Sequence, residues 1–407
     1  MTMQVEQLRQ RLKQRTGCAD SDIRMVYAPL RISPLGAHVD HQDGLVTGMT
    51  LDRVILLAFT PRRDRRVCVE SLNFPGCVEF ALDDVPPKSP RDWGNYVRGA
   101  ALALQQQHTL SVGIDAVVGG SMPIGGLSSS AAVGVAYLLA LETANDLTVS
   151  AKENIQLDRY IENVYLGLKN GIMDQSMILK SERDTLTYLD CQSVAFEKIP
   201  IPHGRNGFDI LVVYSGVEKS LGGTDYNNRV AECQEAARLL LSWSGQTPPE
   251  QPRLRMVPEE VYVEFGGRLP APLGRRARHF FTEVARVREG AMAWRAGDVV
   301  TIGRLMRDSG ASSVYNYESG CPQLVTLYNI LCDAPGVYGA RFSGAGFRGS
   351  CIGLSDPAYR EEIQAFINAR YPTAHPNAAE RYSVHFCKSD GPARVLNGSD
   401  QLSAFSH

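Results

Sequence analysis

The residues with the most chemistry to offer fall in one stretch, Arg31-Ile-Ser-Pro-Leu-Gly-Ala-His-Val-Asp40-His-Gln-Asp-Gly, which carries a guanidinium, two imidazoles and two carboxylates. Polar groups at that density, closing a strand that otherwise reads as buried, point to a site rather than a solvated turn. His38, Asp40 and His41 could in principle ligate a metal. A hard-metal site would want more carboxylates, however, and a zinc site more His or Cys nearby. Ser121-Met-Pro-Ile-Gly-Gly-Leu-Ser-Ser-Ser-Ala-Ala sets two glycines and three serines before a helix. Converging backbone N–H groups and the helix start would favour a phosphate there, and a serine hydroxyl could reach the phosphate or Mg2+. An isolated loop of this kind is more often a plain turn with Ser130 as helix cap. No G-x-x-x-x-G-K-[ST] motif is present, so nucleotide chemistry would have to do without its lysine.

Gly171-Ile-Met-Asp174-Gln holds one carboxylate in an apolar setting, where an unpaired charge is costly to bury. Asp174 therefore needs a cationic partner or a chemical role; taken alone, the plainer reading of an aspartate that caps a helix or turn is preferred. Glu162, twelve residues earlier, reads as the solvated face of a helix. Gly344-Ala-Gly346-Phe-Arg-Gly349 matches G-x-G-x-x-G, but strand-like sequence follows it, whereas the dinucleotide fingerprint opens a helix. A protein-kinase glycine loop does join strands, yet no His-Arg-Asp or Asp-Phe-Gly occurs.

These segments need elements to hold them. Residues 1 to 18 read as an amphipathic helix with Val5, Leu8 and Leu12 on one stripe. Strands are expected over Met25-Val-Tyr-Ala, over Leu45 to Phe59 and from Arg66; a helix over Trp93 to Gln107; a strand from Ile114; and a helix of small apolar residues from Ala131 to Ala144. Proline and glycine around residues 200 to 208 break the apolar pattern, which divides the chain into residues 1–205 and 206–407. The second part opens on the strand Ile210-Leu-Val-Val-Tyr. It continues with helices, a polar insertion near Thr247 and a strand–loop–strand unit from Gly339 to Leu354. Helices segregated from antiparallel strands predict an α+β fold rather than a doubly wound sheet.

A chain of 407 residues with 44% apolar and 21% charged residues can bury a large core without staples. Forty-two basic residues against 44 acidic ones leave no global field for nucleic acid or anionic lipid, which favours a small ligand. Nine scattered cysteines without a C-x-x-C pair fit a reducing, cytoplasmic setting. The first residues lack a signal peptide's apolar core and no run of 18 apolar residues occurs, so no membrane partner is expected. Monomer and small homo-oligomer are equally compatible with the sequence.

Taken together, the loops resemble the GHMP small-molecule kinases, and within them the galactokinase branch. Leu30 to His41 is similar to the signature G-R-V-N-L-I-G-E-H-T-D-Y, and Trp93-Gly-Asn-Tyr-Val-Arg-Gly to N-Y-V-K-G. Gly125 to Ala132 resembles the phosphate-binding P-x-G-x-G-L-S-S-S-A motif, Gly171 to Gln175 is identical to G-I-M-D-Q, and Gly339 to Phe347 is similar to G-A-R-M-T-G-G-G-F. The resemblance implies two domains, the second ferredoxin-like, over one cleft. It implies ATP held by Gly125, Gly126, Leu127, Ser128, Ser129, Ser130 and Ala131, with Mg2+ near Ser130 and Glu162. Asp174 would face the anomeric hydroxyl of a sugar with Arg31 as its partner. Asp40, Tyr226, Gly171 and His38 would line the sugar.

The departures are informative. Where galactokinases have a glutamate that, by the resemblance, contacts the C6 hydroxyl, this sequence has Ala37. A carboxylate at C6 would be repelled by a glutamate in a partly desolvated pocket, and alanine removes that charge. A family tyrosine becomes His41 and a family glycine becomes Arg348, two potential cationic donors. This combination closely resembles the plant-type galacturonokinases and implies galacturonic acid as the acceptor. Arg348 is the first candidate for the sugar carboxylate, with His41 and Lys219 behind it. A galactokinase, a catalytically silent sugar sensor and, last, a dinucleotide-dependent oxidoreductase are the alternatives.

Overall fold

The computed structural model describes residues 2–90, 92–121, 127–201, 207–217 and 225–396. Helix α1 (Thr2–Thr16) buries Val5, Leu8 and Leu12 along one stripe, as their spacing requires. Strand β1 (Arg24–Ile32) is buried from Met25 onward, and β2 (Leu45–Arg62) is long enough to serve several partners. After β3 (Arg66–Ser71), β4 (Cys77–Ala81), α2 (Asn95–Gln105) and β5 (Gly113–Gly120) comes α3 (Ser129–Ala144), whose alanines, Val135, Leu138 and Leu141 are buried, the helix packing on β1, β2 and α2. Small side chains on every face suit a helix enclosed on all sides. Then follow α4 (Ala151–Arg159), capped by the Ser150 hydroxyl accepting from the Glu153 N–H, a π-helical segment over Tyr160–Tyr165, α5 (Met173–Lys180), β6 (Thr185–Asp190) and β7 (Ala195–Pro200).

The remaining elements are β8 (Asp209–Tyr214), α6 (Asp225–Trp243), α7 (Glu259–Phe265), α8 (Ala271–Ala296), α9 (Val299–Tyr315), α10 (Pro322–Asp333), β9 (Val337–Phe342), β10 (Ser350–Ser355), α11 (Arg360–Ala374), β11 (Ser383–Cys387), β12 (Ser389–Asp390) and β13 (Arg394–Leu396). Among the described residues they form two sheets. A mixed sheet runs β13-β1-β2-β5-β3-β4, with β6 and β12 joined at β2 and β7 paired to β6; its β3–β5 pair alone is parallel. The other sheet, β11-β8-β10-β9, is antiparallel. Helix α9 lies so close to β9 that a Cβ on Gly339 would stand 1.8 Å from the Gly303 carbonyl oxygen, so only glycine allows the contact.

The loop Gly344–Gly349 joins two antiparallel strands, which settles its topology against a dinucleotide fingerprint. A cut near residue 205 falls among residues 202–206, outside the described part. The sheets do not divide there cleanly, because β12 pairs with β2 and β13 with β1. Asp390 fixes that return: it accepts from the Tyr27 hydroxyl and from Arg183 at 2.7 Å, while its carbonyl accepts from Thr50. Among the described residues no helix is long and apolar enough to cross a membrane.

Candidate active site

The register between β1 and β2 shifts between Pro29 and Arg31, and this irregularity aims Arg31 at the end of its strand toward α5. Arg31 is 1% exposed, with Nε 2.8 Å and Nη2 2.7 Å from Asp174 Oδ1. The Ser128 hydroxyl donates to Asp174 Oδ2. Asp174 sits in the first turn of α5, so the helix start favours its charge as well. The cationic partner that an aspartate in this apolar stretch requires is thus present.

Asp40 stands beside this pair. The Met173 N–H donates to its Oδ2 at 3.4 Å, and a Cβ on Gly171 would lie 2.4 Å from the same oxygen. Glycine at 171 is therefore what admits Asp40. Burial, then the charge of Asp174, push Asp40 up to about 6. Tyr226, near the start of α6, is held neutral by burial and by Asp40 and Asp174, and its ring meets His41 edge-on at 5.9 Å. Burial pushes His41 down to about 3, so the expected cation at this position is a neutral imidazole. The Leu254 N–H donates to Gln42 Oε1, which directs the Gln42 amide N–H to His41 Nδ1. His41 Nε2 then carries the proton and donates to the Tyr317 hydroxyl at 3.0 Å.

Ala37 is clamped by helix α8. Its N–H and that of Gly36 donate to Glu283 Oε1 at 2.9 and 2.8 Å, and its carbonyl accepts from His279 Nε2 at 2.8 Å. His38 takes a left-handed conformation (φ 54°) and stacks on Tyr317 with centroids 4.0 Å apart. Burial, first of all, keeps His38 well below the usual histidine range.

Of the glycine loop, Gly125 and Gly126 lie outside the described residues, as does Lys219. Leu127 accepts the Arg31 N–H at 3.3 Å, Ser129 opens α3 and Ala131 is buried in it. Ser130 faces both Glu162 and the Tyr96 phenol. Glu162 is not on a solvated face: the π-helical segment turns it inward to 1% exposure. Asn170 donates to its Oε2 at 2.8 Å, while Oε1 has no partner. Burial and Asp174 push Glu162 up to about 7. One turn earlier Asp158 is fully buried with neither oxygen partnered, a residue that helical periodicity places on the same face but does not mark as buried. Arg348 is exposed on the β9–β10 loop, and its charge acts on Tyr96, which puts it on the Ser130 side of the site. The site therefore has two ends, with Ala37 and Asp40 at one, Ser130 and Glu162 at the other, and Asp174 between.

Residues 95–182 match the model of the GHMP kinases N-terminal domain and residues 289–373 that of the GHMP kinases C-terminal domain. A galacturonokinase of Arabidopsis thaliana is 44% identical, over 97% of this chain and 98% of its own. The chain belongs to the GHMP kinases. As a GHMP kinase it is also 34% identical to a galactokinase of Roseiflexus sp., over 97% of this chain and 98% of that one. The crystal structure of Lactococcus lactis galactokinase complexed with galactose superposes with a TM-score of 0.88 at 27% identity, covering 96% of this chain and all of the other. The kinase is thus a sugar kinase of the galactokinase branch and uses ATP.

Proposed function

We propose that this kinase transfers the γ-phosphoryl group of ATP to the anomeric hydroxyl of galacturonic acid, giving galacturonate 1-phosphate and ADP. The observation that carries the substrate is Ala37, which removes a carboxylate from the sugar end, in a chain 44% identical to a galacturonokinase. Asp40 and the neutral Tyr226 hydroxyl bond the ring hydroxyls, Gly171 gives them room, and His38 and His41 form the wall around Ala37. Asp174 holds the C1 hydroxyl in line and takes its proton as the O1–Pγ bond forms and the bond to the β-phosphate oxygen breaks. Arg31, locked onto Asp174, stabilises charge on the moving phosphoryl. Leu127 to Ala131, with Gly125 and Gly126, cradle the phosphates, and Arg348 approaches from the second sheet's loop.

Mg2+ fits the phosphate end. Glu162 offers an unpartnered buried oxygen beside the Ser130 hydroxyl, in a field where Asp158, Glu162 and Asp174 crowd together. Mg2+ usually binds through one or two carboxylates with waters and phosphate oxygens completing its shell, so Glu162 and the Ser130 hydroxyl are a sufficient share from the protein. Bound there, Mg2+ would supply neutralisation of the phosphate charge. The nine free thiols accord with a reducing, cytoplasmic location. ADP release measured side by side on galacturonate, galactose and glucuronate tests the substrate. Galacturonate should be turned over fastest; faster turnover of galactose would make this a galactokinase, and binding without ADP release a sensor.

A further inference from the structure

We propose that Arg341 is the specificity-determining cation of the sugar end, a buried guanidinium that supplies the countercharge for the substrate's C6 carboxylate behind the space Ala37 leaves. This rests on the galacturonate reading above.

Arg341, on β9 opposite Ile352, is 3% exposed and donates from Nη1 to the Ser33 carbonyl at 2.8 Å, beneath the loop that carries Ala37. Its Nε is buried without a partner, and among the described residues no carboxylate forms an ion pair with it. The nearby charges are already committed. Arg31 is paired with Asp174. Glu283 gives Oε2 to Arg286 and Oε1 to the N–H groups of Gly36 and Ala37 and to the Ser309 hydroxyl. Burial pushes Arg341 down to about 10; Arg31 and Arg286 push the same way and Glu283 opposes them. A cation buried among cations is costly, and a strand position of this kind could be filled by an apolar side chain at no such cost.

Its field reaches the right place. Arg341 acts on His38 and on His279, and His279 donates to the Ala37 carbonyl. Among the described residues the other candidates stand differently: His38 and His41 are neutral, and Arg348 acts on Tyr96 at the phosphate end.

Full-length Arg341→Gln and Arg341→Lys are compared with the parent for kcat and KM on galacturonate and galactose. Arg341→Gln should raise KM for galacturonate and lower the galacturonate-to-galactose ratio of kcat/KM by about 30-fold, and Arg341→Lys should restore most of that ratio. A merely structural arginine would depress both sugars alike, and that result overturns the proposal. A second arm uses no sugar: Ala37→Glu should raise Tm by pairing the guanidinium, and the same substitution made in the Arg341→Gln background should give no rise. Equal melting shifts for Ala37→Glu in both backgrounds also overturn the proposal. If the parent prefers galactose, the substrate reading fails by itself, and the melting cycle still decides whether an unpaired cation faces position 37.

Discussion

Asp40→Asn should make the kinase more stable and less able to bind sugar, with a pH dependence that identifies the cause. In the folded chain Asp40 is pushed from its ordinary 3.8 up to about 6, chiefly by burial. The folded state therefore holds this proton more tightly than the unfolded chain does. The resulting stability is fully present below about pH 4 and is lost as pH rises through about 6. At 1.36 kcal/mol per unit, the cost of carrying the ionised group above about pH 7 has a ceiling of about 3 kcal/mol. One edge of Asp40 faces the cleft, so about 1–3 kcal/mol is the working range. Asparagine keeps the shape and removes the charge. Urea melts of both proteins from about pH 4 to about pH 8 should show the variant ahead at high pH, with the gap closing toward low pH. Calorimetric titration with the sugar should show affinity reduced by about 10- to 100-fold, the loss of a charged acceptor. A variant that is less stable at high pH, or a gap that does not change with pH, would refute the electrostatic account of this carboxylate.

Asp174→Asn should lower kcat by about a thousandfold with sugar affinity within a few-fold. Its melting temperature should fall too, because Arg31 is left buried beside a neutral amide; retained turnover would remove the proton-acceptor role. Gly171→Ala should raise the sugar KM and cost about 1–3 kcal/mol in denaturant melts, since its Cβ would start 2.4 Å from Asp40 Oδ2. Glu162→Gln should weaken metal affinity about 10- to 100-fold, read by Mn2+ resonance titration in the presence of ADP as well as by the Mg2+ dependence of turnover.

Much of the site was legible because its chemistry is local. The density of polar groups from Arg31 to Asp40 signals a site, whereas the lone carboxylate of Asp174 reads by itself as a turn or cap residue until the resemblance pairs it with Arg31, and the structure joins the two. Helix α1 was legible from three apolar residues at helical spacing. The rest depends on contacts that a linear pattern does not encode. Glu162 reads as an exposed helical residue because the pattern assumes a uniform turn, and the π-helical segment breaks that phase. His41 reads as a potential cation until the packing of Tyr226, Tyr317 and Gln42 removes its water. Arg341 lies in a short strand where alternation says nothing about what stands behind each face, and β12 and β13, two and three residues long, are below any periodic signal.

Those two short strands have a consequence for how the molecule is made. β1 is synthesised early, but its outer neighbour β13 is nearly the last described segment to leave the ribosome. Until then the nascent sheet presents a row of unsatisfied backbone groups, the kind of edge that recruits foreign strands. The half translated first is thus completed last, which ties the maturation of both halves to a single late event.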